Sequence, residues 1–275
     1  MFHRFRIGDM TATVVSDGPL TLGPPHKVFR GPPAEAIADA LTATGQATDA
    51  LHVAQNCLVV DTPAGRALFD TGLGDEKPYG PDSGKLLASL AEAGIAPESI
   101  DAVVLTHAHS DHCWGTPAFR NARIIMAEAE LAYWTADPPL ETHRPSLEGF
   151  RRHILPLRDR IETVRDGQAF LSGVQAWATP GHTPGHLAFL FEGGWCLTGD
   201  AAWHDPLSYA FPEAQAAYDT DRAQGVHTRL RVLDRLAADR LRVIGYHHPW
   251  PGLGRVERGA GGFRFVAGGE ELRGG

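Results

Sequence analysis

The run Thr106-His107-Ala108-His109-Ser110-Asp111-His112 places three imidazoles and a carboxylate within six residues. With 14 histidines in 275 residues, a random His-x-His-x-Asp-His is expected only about 0.0025 times per chain. A solvated polar loop has no reason to choose histidine three times. Neutral imidazole and carboxylate suit Zn, Mn, Fe, Co or Ni rather than Ca or Mg. On a turn leaving a strand, residues two apart reach toward one ion while the next pair aims at a second.

Three further polar runs hold groups of the same kind. They are Thr179-Pro180-Gly181-His182-Thr183-Pro184-Gly185-His186, Thr198-Gly199-Asp200, and Gly245-Tyr246-His247-His248-Pro249. Each follows a segment that reads as a strand, and open α/β architectures collect their sites just past the carboxyl ends of strands.

The elements that must position these loops are short. Residues 5–7 and 11–16 read as strands around Gly8-Asp9, and residues 56–61 and 66–69 as a hairpin turning at Thr62-Pro63-Ala64-Gly65. A helix is expected over residues 34–43. A second, over 85–93, would be capped by Ser83, present Leu86, Leu87 and Leu90 on one face, and stop at Gly94. The apolar run 102–105 reads as a doubly buried strand, followed at once by the histidine loop. Strands are expected at 123–126, 174–178, 188–191, 195–198 and 241–245, with a final hairpin over 255–266. Helices fall at 128–134 and, capped by Asp219 or Thr220, up to Ala238, with Val226, Leu230, Leu233 and Ala237 as its apolar stripe. No repeat or linker interrupts the chain, so residues 1–275 read as one α/β (α+β) domain.

Composition narrows the function. Lys and Arg number 25 against 33 Asp and Glu, a formal charge of −8 that offers no field for a phosphate backbone, so nucleic acid is not expected as a partner. Residues 167–191, the longest stretch free of charged side chains, contain two prolines, four glycines and two histidines, which argues against membrane spanning. The first ten residues lack a continuous apolar run and a small-residue cleavage site. Three cysteines, Cys57, Cys113 and Cys196, cannot all pair within the chain and read as reduced thiols, hence a cytoplasmic setting.

Taken together, THAHSDH, TPGHTPGH, TGD and the late YHHPWPG resemble the metallo-β-lactamase superfamily over nearly the whole chain. FRIGDMTATVVSDG, QNCLVVDT with ALFDTGLG, YDTDRAQ and GYHHPWPGLGRVE are most similar to its methyl parathion hydrolase and quorum-quenching lactonase branch. The resemblance implies a four-layer αββα sandwich and two divalent ions per chain, zinc first among the compatible metals. It implies His107, His109 and His182 as ligands of one ion, Asp111, His112 and His247 of the other, and Asp200 as the bridge. Asp70 matches a position that orients a ligand histidine.

Two such ions would hold a bridging hydroxide that attacks a small neutral ester: a lactone, an aryl ester or a phosphotriester. Asp111 or a metal-bound water would then relay the proton to the leaving group. Tyr79, Trp134 and Trp203 are the candidate aromatic walls of the pocket. His186 and His248 read as packed groups rather than ligands, and Cys113 as a small buried thiol. His204, four residues past Asp200, fits either the pocket or the surface. Relatives suggest a homodimer.

Two other functions compete. A glyoxalase II-like thioesterase shares the ligand motif but would need a basic C-terminal region, and residues 259–275 are Gly-rich. A non-catalytic relative would hold metal for structure alone, although structural sites are typically closed and mononuclear. Metal stoichiometry separates it from an enzyme.

Overall fold

The computed structural model describes residues 1–76, 78, 80–136, 144–259 and 261–268. Seven strands form the first sheet in chain order: β1 (Phe2–Ile7), β2 (Met10–Thr21), β3 (His52–Thr62), β4 (Gly65–Phe69), β5 (Ala102–Val104), β6 (Arg123–Ala127) and β7 (Ile161–Val164). Antiparallel pairing through β4 gives way to parallel pairing from β4 to β7. The second sheet repeats the plan with β8 (Ala169–Leu171), β9 (Val174–Ala178), β10 (Leu187–Phe191), β11 (Trp195–Leu197), β12 (Arg242–Ile244), β13 (Leu253–Gly259) and β14 (Gly262–Ala267). Its one parallel pair, β11 with β12, sends two of the ligand loops out of the same end of the sheet.

The helices that pack on the sheets or carry ligands are α1 (Ala34–Ala43), α2 (Leu86–Glu92), α3 (Ser110–Cys113), α4 (Glu128–Thr135), α5 (Arg144–His153) and α6 (Arg222–Ala238). One apolar cluster joins the facing sides of the two sheets, with Phe69 edge-on to Phe189 and Phe191 at ring separations of 5.2 and 5.3 Å. A second packs α1, α2, α4 and α5 on the outer face of the first sheet, and a third packs α6 on the second. The result is the αββα sandwich. Burying a large apolar side chain contributes roughly 1.5–3 kcal/mol, so these layers dominate the favourable side of folding. No described helix is long and apolar enough to cross a membrane, and all three cysteines are buried and unpaired.

The hairpin turn at 62–65 is where the sequence places it: Thr62 Oγ1 donates to the Gly65 carbonyl at 2.7 Å and accepts from Ala64 N. Four local expectations fail. Ser83 donates to the Gly80 carbonyl instead of capping α2; Asp17 of β2 takes that place, its Oδ1 accepting from Leu86 N at 2.8 Å. Leu87 is 44% exposed, outside the packed face formed by Leu86 and Leu90. The cap of α6 is Asp221, whose Oδ1 accepts from Gln224 N, and its buried face runs through Gly225, Thr228, Arg229, Val232, Leu233 and Leu236. The expected stripe shares only Leu233 with that face, because an arginine occupies the core side and Val226, Leu230 and Ala237 lie at its edges.

Candidate metal centre

β4 and β5 run parallel in register, Phe69 opposite Val104, so the residues just past their ends emerge side by side. Asp70 there holds a left-handed backbone, φ 57°, which aspartate tolerates better than bulkier residues. Its Oδ1 accepts from Thr106 N at 2.8 Å, and its Oδ2 meets Thr106 Oγ1 and His112 Nδ1, each at 2.8 Å. The turn carrying His107, His109, Asp111 and His112 is thereby pinned to the neighbouring strand end.

On the second sheet, β9, β11 and β12 deliver His182, Asp200 and His247 respectively. His107 Nε2 lies 3.0 Å from His109 Nδ1, which lies 2.9 Å from His182 Nε2. Asp200 sits between this trio and a second group. Its Oδ2 is 3.2 Å from His182 Nε2 and 3.6 Å from His247 Nε2, and its Oδ1 is 3.5 Å from His112 Nε2. Asp111 Oδ2 completes the second group, 3.2 Å from His247 Nε2 and 3.6 Å from His112 Nε2. The sheets therefore bring all seven expected ligands together. Ligand atoms of His107, His109 and His182, of His107, His112 and Asp200, and of Asp111, His112 and His247 lie within 4.8 Å of one another in each set.

Outer contacts fix how the rings face. His107 Nδ1 meets Thr106 Oγ1 at 3.0 Å, His112 Nδ1 meets Asp70, His182 Nδ1 meets Asp219 Oδ1 at 2.9 Å, and His247 Nδ1 meets the Ala54 carbonyl at 2.7 Å. With its outer nitrogen engaged, each ring turns Nε2 toward the centre, as metal-ligating histidines do. His112 Nε2 and Asp200 Oδ1 are buried with no hydrogen-bond partner. Orphaned donor atoms inside a nitrogen and carboxylate cage are what a divalent cation satisfies, so these residues fit a dinuclear site with zinc as the first choice.

Charge supports the fit. Burial opposes ionisation of Asp200, yet His247, His112 and His182 hold its carboxyl well below the usual range, and Asp111 falls to about 2 against its own burial beside His112 and His247. Burial also opposes a proton on His182, but Asp200 and Asp219 raise it to about 9. Burial, with neighbouring histidines, pushes His107 and His109 well below the ordinary value. Without metal the cluster balances its carboxylates with protons, which bound cations would displace.

A cavity of about 250 Å³ is lined by His109, Asp111, His182, Asp200 and His247 of the centre together with Leu20, Leu22, Ser146, Trp203 and Tyr218. No Lys or Arg lines it among the described residues. Trp203 is on the wall, its ring 6.0 Å from that of His247. Trp134 is not. It lies buried behind His109, stacked on Phe150, because its Nε1 donates to buried Glu130 at 2.7 Å. Tyr79 lies outside the described residues.

The other histidines divide cleanly. His186 is buried, its Nε2 accepting from Asp200 N at 2.8 Å, and burial holds it near 3, hence neutral. Gly199 (φ 49°) allows that approach: a Cβ there would sit 2.7 Å from His186 Nε2. His248 packs between Tyr209 and Phe265, its Nε2 2.6 Å from the Tyr209 hydroxyl. His204 is buried against Phe29 and Trp203, neither on the surface nor on the cavity wall. Cys113 is buried, its thiol donating to the Ala108 carbonyl. Sequence reasoning named Asp219 only as a helix cap and missed Glu130; they reach His182 and Thr183 across 37 and 53 residues respectively. Asp219 falls within YDTDRAQ, whose match carried it without assigning it a role.

Comparison with known proteins agrees with this architecture. The profile of the metallo-beta-lactamase superfamily matches residues 52–248. An N-acyl homoserine lactonase of Bacillus sp is 29% identical over 168 residues, 54% of this chain and 63% of that relative, so the alignment spans under two thirds of its length. Among solved structures, AidC, a dizinc quorum-quenching lactonase in complex with a product, superposes at a TM-score of 0.89 with 24% identity, over 98% of this chain and 97% of that one. The hydrolase AbOPH, in the beta lactamase superfamily, superposes at 0.88 with 24% identity and the same coverage. A match over residues 52–248, together with four ligand loops converging between two stacked sheets, decides the family: this chain belongs to the metallo-β-lactamase superfamily.

Proposed function

We propose that this chain, read as one domain over residues 1–275, is a dinuclear metal-dependent hydrolase of small neutral esters: lactones, aryl esters or phosphotriesters. The observation that carries the reading is Asp200, set between two donor groups in a cavity whose described lining has no Lys or Arg. When bound, two divalent ions supply Lewis acidity and bring the pKa of a coordinated water from about 15.7 toward 7, so no Ser or Cys nucleophile is needed.

The chain's own residues do the rest. His107, His109 and His182 would hold one ion and Asp111, His112 and His247 the other, with Asp200 within reach of both groups. Asp111 keeps 13% of its side chain exposed and opens on the cavity, so its carboxylate stands where a proton can pass to a departing alkoxide. Leu20, Leu22, Trp203 and Tyr218 offer apolar surface to an acyl or aryl group and exclude water from it. A glutathione thioester carries carboxylates that would find no Lys or Arg on the described lining, which favours the neutral ester over the glyoxalase II-like alternative. The likeness to proteins described as lactonases supports the same choice.

A cytoplasmic setting agrees with three buried, unpaired cysteines, and a net charge of −8 argues against a nucleic-acid partner. The homodimer rests on family likeness, and sedimentation tests it. The deciding experiment measures metal per chain on purified protein together with turnover of a lactone, a paraoxon-type triester and S-lactoylglutathione. Two ions with lactone or triester turnover are expected. Two ions with thioester turnover alone would transfer the reading to the thioesterase. No turnover after Zn or Mn is restored would leave a metal-binding relative without the chemistry.

A further inference from the structure

Glu130 is fully buried at the start of α4, and no ligand assignment involves it. Its carboxylate accepts four hydrogen bonds. Oε1 takes Ala108 N at 2.8 Å and Trp134 Nε1 at 2.7 Å; Oε2 takes Thr183 Oγ1 at 2.7 Å and Gly185 N at 3.1 Å. Ala108 stands between His107 and His109, and Thr183 follows His182. The two oxygens thus hold the two loops that carry the first histidine trio, one from each sheet.

We propose that Glu130 is the positioning residue that sets the spacing of His107, His109 and His182, and so tunes the first ion's affinity apart from the second's. The surroundings are built for the link. A Cβ on Gly185 would sit 2.1 Å from Glu130 N, so only glycine lets the TPGH loop close onto the helix. Trp134, tied to Oε1, presses its ring edge-on toward His109 at 5.9 Å, a function separate from lining the cavity. Three of the four partners are N–H groups that can only donate, so the ionised carboxylate is the form that satisfies them all. The second group, Asp111, His112 and His247, is held by the Ala54 carbonyl and by Asp70, which also reaches His107 through Thr106, and among the described residues no hydrogen bond joins it to Glu130.

Glutamine makes the test. Its amide oxygen can face Ala108 and Trp134, and Thr183 can rotate to accept from its NH₂, but Gly185 N then meets a donor. The histidines keep their identity and lose only their hold. Metal-free wild type and Glu130→Gln are titrated with Zn²⁺, and with Co²⁺ for its absorption bands. Wild type is expected to take two equivalents. The variant should take one with unchanged affinity and the other about 10- to 100-fold more weakly, the range for outer partners of metal ligands. Saturating Zn²⁺ should restore its turnover number, which general misfolding would not allow.

Wild-type affinity for both ions in Glu130→Gln, or equal weakening of both, would overturn the assignment. If that variant does not fold, Thr183→Val and Trp134→Phe, each removing one donor, decide by the same asymmetric loss or its absence. The inference rests on the metal-centre reading. Wild type that binds no ion overturns both, whereas two ions bound equally well by wild type and variant overturn only the role given to Glu130.

Discussion

Asp219 Oδ1 lies 2.9 Å from Nδ1 of His182, and its Oδ2 lies 3.3 Å from Nη2 of Arg229. All three residues are buried, at 6%, 4% and 1% exposure respectively. Arg229 comes from α6 and also donates through Nη1 to the carbonyls of Pro212 and Ala214. One carboxylate therefore orients a histidine of the metal centre and neutralises a cation that the outer helix carries into the core. The centre and the packing of α6 share a residue.

Replacing Asp219 with Ala is expected to cost about 3–5 kcal/mol of stability, because it leaves the Arg229 charge buried without its carboxylate. Asp219→Asn keeps a neutral acceptor for His182 or Arg229 and should cost less, although the guanidinium charge stays uncompensated. Urea unfolding of the three proteins checks this. Equal midpoints for wild type and Asp219→Ala would show that the backbone carbonyls alone compensate Arg229.

Asp200 touches both donor groups, so no other single carboxylate loss should be as severe. Asp200→Ala is expected to lower kcat/KM by about 10³-fold or more, about 4 kcal/mol of transition-state stabilisation at 1.36 kcal/mol per tenfold. Far-UV circular dichroism should stay near that of wild type, because the two sheets pack through an apolar cluster that excludes Asp200. His182→Ala should behave alike while losing one equivalent of metal. Full activity in either variant would exclude a two-ion mechanism.

Tyr218 stands on the cavity wall and is 40% exposed, with its ring 6.4 Å from Trp203. Truncation removes apolar contact with a substrate's acyl or aryl arm without disturbing the ligands. Tyr218→Ala should raise KM about fivefold, about 1 kcal/mol, with kcat within about twofold. A fall in kcat at constant KM would place Tyr218 in the chemistry instead of in substrate binding.

Much of this centre is legible in the sequence because ligation demands particular residue types, and a strand end presents them in one short run. The run 107–112 could be read locally, whereas Asp200, and His182 and His247 in preference to His186 and His248, are implied by the family resemblance. Glu130 and Asp219 could not. Each is an acidic residue at or near a helix start, an ordinary place for one, and only the closing of two sheets reveals what it holds. The same distance effect hid the α2 cap, since Asp17 lies 69 residues from Leu86 N. The buried face of α6 was hidden for another reason: pairing with Asp219, ten residues away, admits an arginine that hydrophobic periodicity would exclude. Trp134 and Trp203 look alike as aromatic residues near ligand loops, and only the donor Trp134 gives to Glu130 separates core from cavity wall.

Asp205 gives a pH-dependent test independent of the metal ligands. Its backbone carbonyl accepts from Gln46, while burial without a charge partner pushes its carboxyl from 3.8 up to about 6. The folded chain then holds this proton more tightly than the unfolded chain does. Below about pH 4 both states are protonated and the site costs nothing. As pH rises through about 4 to 6 the unfolded state ionises first, so stability falls, and above about 6 the full penalty remains. A shift of about two units corresponds to at most about 3 kcal/mol at 1.36 kcal/mol per unit, an upper bound because Asp205 retains some contact with solvent. Asp205→Asn should therefore match wild type near pH 3.5 and exceed it at pH 7. Thermal melts of both proteins in chelator, where metal release does not enter, measure the difference. A gap that stays constant with pH would mean that burial of the carboxylate is not what separates them.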